Sequence, residues 1–154
     1  MSKKSISTEQ TDANIAAVLA QLAETPQQLA AMAASVLPEA LTRPLAPGER
    51  TPTEVMAHLV NTEALNTQAI ILALLIKVPL LPKLHAERNL GKLLRHDRDS
   101  FEELLAYFTY RRKVLLRVLD GLSEKQWSRQ VREEGKQRQE SVYWRARGQA
   151  LHEL

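Results

Sequence analysis

Ile15, Val18, Leu19 and Leu22 recur at three- and four-residue intervals, the spacing of one helix face. Thr25-Pro26-Gln27-Gln28 follows. It has the form of a capping box, with threonine as N-cap, proline in the first helical position and glutamine in the third. The apolar pattern then resumes through Leu29, Met32, Ala33 and Val36, so the first helix is expected to be kinked or in two pieces. Pro38, Pro44, Pro47 and Gly48 mark a loop. Thr51-Pro52-Thr53-Glu54 repeats the capping device and opens a second helix expected from about Pro52 to Lys77. Its end, Ala69 to Ile76, is wholly apolar and is expected to be buried, its outer side a possible subunit contact. Lys77, Pro79 and Pro82 break this run well short of the roughly 20 residues of a membrane span.

Residues from Pro79 to Leu93 read as an irregular connection with one helical turn. A third helix is expected from about Asp97 to Leu119. Phe101, Leu104, Leu105, Phe108, Leu115 and Leu119 form its buried face, and Gly121 stops it. Arg111, Arg112, Lys113 and Arg117 crowd its last turns, where cations complement the negative helix end. Ser123-Glu124-Lys125-Gln126 is a further capping box, and Glu133-Glu134-Gly135-Lys136 a polar loop. The last helix is expected to begin near Gln139.

Two helices carry a polar line beside an apolar stripe. In the second, His58, Thr62 and Asn66 stack at intervals of four. In the last, Ser141, Arg145, Gln149 and His152 share a side, next to Val142, Ala146 and Ala150. A solvated polar face is one reading of each line. A pocket is the other, with Thr62, Asn66, Arg145 and Gln149 as substrate-binding candidates. Imidazoles from distant helices converging in a bundle make a metal site without cysteine, which makes His58 and His152 the ligand candidates. His85 and His96 fall on no such stripe and are left outside the site.

Composition narrows the classes. Five glycines and 5% aromatics among 154 residues favour helix over sheet in one domain. No cysteine is present, which rules out a disulfide framework, a thiolate metal site and a cysteine nucleophile, and fits a cytoplasmic setting. The net charge of +3, from 21 basic and 18 acidic residues, is too small to imply nucleic acid. The basic stretch from Arg111 to Arg147 is interleaved with Asp120, Glu124, Glu133, Glu134 and Glu140, which argues the same way. Residues 1–9 are polar, lack the apolar core of a signal peptide and are expected to form a flexible arm.

The order of these motifs resembles the DinB superfamily. The resemblance rests on Thr53-Glu-Val-Met-Ala-His58-Leu-Val-Asn-Thr-Glu63, on Arg112-Lys-Val-Leu-Leu116, and on Leu119-Asp-Gly-Leu-Ser-Glu-Lys-Gln-Trp-Ser-Arg129. Glu134-Gly-Lys136, Ser141-Val142 and Ala150-Leu-His-Glu153 complete it, so that it covers about residues 10–154. It implies an all-α four-helix bundle, often a homodimer, with a divalent metal (nickel, zinc or manganese) between helices. It assigns one ligand to His58 and one to His152. A third, from a His-x-x-x-His spacing, would fall two residues beyond Leu154. Glu63, five residues past His58, lies roughly 140° around the helix and should not point toward the same ion. The implied activity is a thiol-dependent S-transferase or isomerase using a low-molecular-weight thiol such as bacillithiol, mycothiol or glutathione, whose pKa a bound cation lowers. Arg145 could hold an anionic group of thiol or substrate. A non-catalytic, stress-related binding protein on the same scaffold is the alternative.

Overall fold

Side-chain caps set where most of the helices begin. In the computed structural model, which describes residues 5–153, Thr11 accepts from the Asn14 amide and starts α1 (Asp12–Ala34). Thr51 accepts from the Glu54 amide at 3.1 Å and starts α2 (Pro52–Leu75). The connection beyond carries β1 (Leu80–Leu81), a π-type turn over Ala86–Gly91 and the single turn α3 (Lys92–Leu94). Ser100 caps α4 (Phe101–Leu119), and Ser123 and Gln126 form the full capping box of α5 (Glu124–Trp127). A hairpin of β2 (Gln130–Glu133) and β3 (Gln139–Ser141) leads into α6 (Val142–His152), whose N-cap is Ser141. Replacing Thr51 by alanine removes one such cap and is expected to cost about 1 kcal/mol in urea unfolding.

Helices α1, α2, α4 and α6 make a four-helix bundle. A three-stranded sheet, ordered β1-β2-β3, closes one end. This sheet was not expected from the sequence, because its strands are two to four residues long and carry no sustained alternation. β1 pairs in parallel with β2, Leu80 opposite Arg132, while Val131 faces Glu140 across the antiparallel pair. The sheet fixes the start of α6 and ties down the connection after α2. Because residues 139–141 are strand, α6 begins at Val142 rather than near Gln139. Likewise α4 begins at Phe101 rather than Asp97, since Arg95 is left-handed (φ 54°) and His96–Arg98 form a 3₁₀ turn.

The core has two apolar parts. Met56, Val60, Phe101, Leu104 and Phe108 pack in one. Leu22, Ile70, Leu115, Leu119, Trp127, Tyr143 and Ala146 pack in the other. A charged layer separates them. Arg112, 1% exposed, donates Nη2 to Glu63 at 2.6 Å and Nη1 to Glu153 at 2.9 Å, with its guanidinium over the Phe108 ring. Its Nη1 also donates to the Leu22 carbonyl at 2.8 Å. That carbonyl would otherwise bond the amide four residues on, which is Pro26 and has no hydrogen. Arg112 thus supplies the donor that Pro26 lacks, and α1 runs as one helix with Pro26 inside it.

Three expectations change here. Arg112 is a buried structural cation, not a surface complement to the helix end. In the apolar run at the end of α2, Ala69, Ile70 and Ala73 are buried, but Leu75 and Ile76 are exposed. The described part of the N-terminal arm is pinned to α6, since the Ser7 carbonyl accepts from Tyr143 and the Ile6 carbonyl from Arg147. Residues 1–4 lie outside the described residues. Among the described residues, no helix is long and apolar enough to cross a membrane.

Candidate metal centre

His58 sits in the second turn of α2, and His152 is the last residue of α6. The helices bring the two together across 94 positions of sequence, Nε2 facing Nε2 at 3.2 Å, with the rings edge to face. Two nitrogens bound at 2.0–2.1 Å to one tetrahedral cation stand roughly 3.3 Å apart. The observed span matches that geometry for two ligands of one ion.

The other side of His58 is also built. Its Nδ1 contacts the Glu87 carboxylate, which pairs with Arg50 Nη2 at 2.9 Å. A carboxylate behind a ligating imidazole fixes the tautomer that leaves Nε2 free and raises its basicity. Burial pushes the His58 pKa below its ordinary value, with Arg50 and His152 adding to this and Glu87 opposing it. The neutral ring that a metal requires is therefore the favoured form. At Glu87, burial opposes ionisation, but His58 and Arg50 outweigh it and hold the carboxyl below its ordinary pKa.

Glu87 reaches this position through the π-type turn. His85 caps that turn, its Nδ1 accepting from the Glu87 and Arg88 amides at 3.2 and 3.1 Å. With Nδ1 so occupied, the neutral ring carries its proton on Nε2, so His85 presents a donor rather than a metal ligand. The turn lies flat on α2 because Gly91 has no side chain; a Cβ there would stand 3.3 Å from Asn61 Nδ2. Glu63 is paired with Arg112 inside the bundle. Among the described residues, no group of three or more His, Asp or Glu side chains is set to hold a metal.

A cavity of about 500 Å³ runs beside His152 between α2 and α6. Thr62, Asn66, Arg145 and Gln149, the four sequence candidates for substrate contact, all line it. Their polar atoms are partly engaged. Thr62 donates to the His58 carbonyl, Asn66 Nδ2 to the Arg145 carbonyl at 3.1 Å, and Gln149 Nε2 to Glu153 at 2.7 Å. His85, which falls on no helical stripe in the sequence, also lines the cavity, as do Glu133 and Glu140. His96 lies elsewhere, paired with Asp99 at 2.9 Å in a second, polar cavity that His58 also lines. The placements of His85 and Glu87 had no periodic signal, because both belong to an irregular turn held by the sheet.

The family model of the DinB superfamily matches residues 21–154. The chain belongs to the DinB superfamily. Among solved structures it is similar to YfiT from Bacillus subtilis, at 15% identity and a TM-score of 0.83, covering 96% of this chain and 83% of that one. YfiT is described as a probable metal-dependent hydrolase with an unusual four-helix bundle topology. At this identity the likeness shows a shared four-helix-bundle fold. No curated protein matches the chain.

Proposed function

We propose that this DinB-superfamily member is a divalent-metal-dependent enzyme, with His58 and His152 as two of the ligands and the groove between α2 and α6 as the substrate site. The observation that carries the reading is the 3.2 Å separation of the two Nε2 atoms, one of them backed by the Glu87 carboxylate. A cation bound there would lower the pKa of a water or low-molecular-weight thiol and so supply the nucleophile for hydrolysis or S-transfer. The chain, which has no cysteine, supplies positioning. Glu87 orients His58, Arg50 pairs with Glu87, and His85 Nε2–H and Arg145 offer donors toward the groove.

Titration of the metal-stripped protein with zinc, nickel and manganese tests this. Heat corresponding to one cation per chain is expected for at least one of them, and none for the His58→Ala/His152→Ala double variant. Flat titrations with all three ions on the unaltered chain would overturn the reading. Glu87→Gln keeps the shape but removes the charge behind His58, and is expected to weaken the binding by about 10–100-fold. The same protein, loaded with the tightest ion, should consume thiol in conjugation assays if the nucleophile is a thiol, and should hydrolyse ester or amide substrates without thiol if it is water.

A further inference from the structure

Glu140 and Arg145 form an ion pair at 3.5 Å, and among the described residues that bond is the one side-chain hydrogen bond of each. Glu140, on β3, is buried with 8% exposure. Three cations surround it, but none closely: Arg145 Nη2 at 3.5 Å, Lys136 Nζ at 3.7 Å and Arg138 Nη2 at 3.7 Å. Charge-assisted hydrogen bonds normally close to about 2.7–2.9 Å. Lys136 makes its close contact with Glu133 instead, at 2.7 Å. Arg145, in the first turn of α6, is mostly buried, and the part of its guanidinium left accessible has no hydrogen-bond partner besides Glu140 among the described residues. Both residues line the groove. Buried charges held this loosely gain from a ligand that completes their bonds.

The groove also has a direction. α2 and α6 touch at two points along it, His58 with His152 at one and Asn66 with the Arg145 backbone at the other. Arg145 and His152 are seven positions apart on α6, about 10 Å at the helical rise. Leu65, Ala69, Leu72, Leu81 and Trp144 give the Arg145 end an apolar lining.

We propose that the Glu140–Arg145 wall binds the zwitterionic head of an α-amino acid. Its carboxylate sits on the Arg145 guanidinium, its ammonium on the Glu140 carboxylate, and its long side arm runs along the apolar wall toward the histidine pair. A simple anion would satisfy Arg145 and leave Glu140 with no close partner beyond its three distant cations. A simple cation would do the reverse. A ligand whose two charges are borne on adjacent carbons can complete both groups, and a guanidinium fork suits a carboxylate. This names the substrate class for the metal-dependent reading and rests on that reading only for what happens at the far end of the arm.

The test is therefore made without metal. Binding of L-2-aminooctanoic acid to the EDTA-treated protein is measured by calorimetry against octanoic acid, 2-aminooctanamide and N-acetyl-2-aminooctanoic acid. The amino acid is expected to bind at least tenfold tighter than any of the three. Glu140→Gln should abolish its advantage over octanoic acid, and Arg145→Gln its advantage over the amide. Equal binding of octanoic acid and the amino acid would overturn the proposal in favour of an anion pocket, and equal binding of the amide in favour of a cation pocket. No binding of any of the four would overturn it outright. If either variant fails to fold, the ligand series on the unaltered protein still decides. Loss of metal binding with retention of the amino-acid preference would count against the enzyme reading alone.

Discussion

Arg112→Met is expected to destabilise the protein by about 3–5 kcal/mol, a large share of the 5–15 kcal/mol typical of a domain. The substitution keeps most of the side-chain volume and removes only the charge and its donors. Glu63, with 0% exposure, would then be left with the Thr67 hydroxyl at 3.1 Å as its remaining hydrogen bond. Glu153 would keep Gln149, and the Leu22 carbonyl would lose the donor that stands in for the missing Pro26 amide. Stranding a buried carboxylate is the dominant cost, since it can neither ionise in place nor reach water. At about 2–4 °C per kcal/mol for a chain of this size, the melting temperature should fall by roughly 6–20 °C. The sharper check is reversal. Removing the carboxylates as well, in Arg112→Met/Glu63→Met/Glu153→Leu, takes away the stranded charges and should restore most of the loss. A single variant within 1 kcal/mol of the parent in denaturant unfolding would show that the buried layer does not hold α1, α2, α4 and α6 together.

The same residue shows what the sequence could and could not reveal. The starts of α2 and α5 were legible, because Thr51, Ser123 and the proline after Thr51 announce them locally, whereas the same device at Thr25-Pro26 opens no helix, since α1 runs through it. The buried stripe of α4 was legible from periodicity, and five of its six expected residues are buried, Leu105 being partly exposed. Arg112 was not. It falls among Arg111, Lys113 and Arg117 near a helix end, where cations are ordinarily explained by the helix dipole. Its role depends on Glu63 and Glu153, 49 and 41 positions away. Two clues were nonetheless on the chain. Pro26 inside a helical pattern leaves a carbonyl in need of a donor, and Glu63 inside an otherwise apolar helix face needs a counter-charge.

The candidate site divides along the same line. His58 and His152 each lay on a polar stripe of a regular helix, so their meeting followed from helical periodicity and antiparallel packing. Glu87 and His85 lie on a turn whose position is set by pairing Leu80–Leu81 with Arg132–Glu133. Strands that short leave no pattern in sequence, and whatever they position is equally hidden. Glu140 belongs to the same case: as a strand residue it faces the groove, whereas as a loop residue it would have had no assigned direction.

His152→Ala is expected to weaken metal binding by more than about 100-fold, beyond the loss expected from an outer partner such as Glu87. The ring is exposed and its one recorded hydrogen-bond contact is with His58, so the fold should tolerate its removal within about 0.5 kcal/mol. Stability and affinity are thereby separable. In the parent protein a cation at 100 times its Kd should add about 2.7 kcal/mol to unfolding. That corresponds to a rise of roughly 5–11 °C in melting temperature. The variant should melt with the parent when both are stripped of metal, and should gain almost nothing when zinc, nickel or manganese is added. His58→Ala should behave alike toward metal but also free Glu87, whose remaining close partner Arg50 is half exposed. If His152→Ala keeps the metal-dependent rise, the cation binds through other groups and the imidazole pair is no more than a hydrogen-bonded contact between α2 and α6.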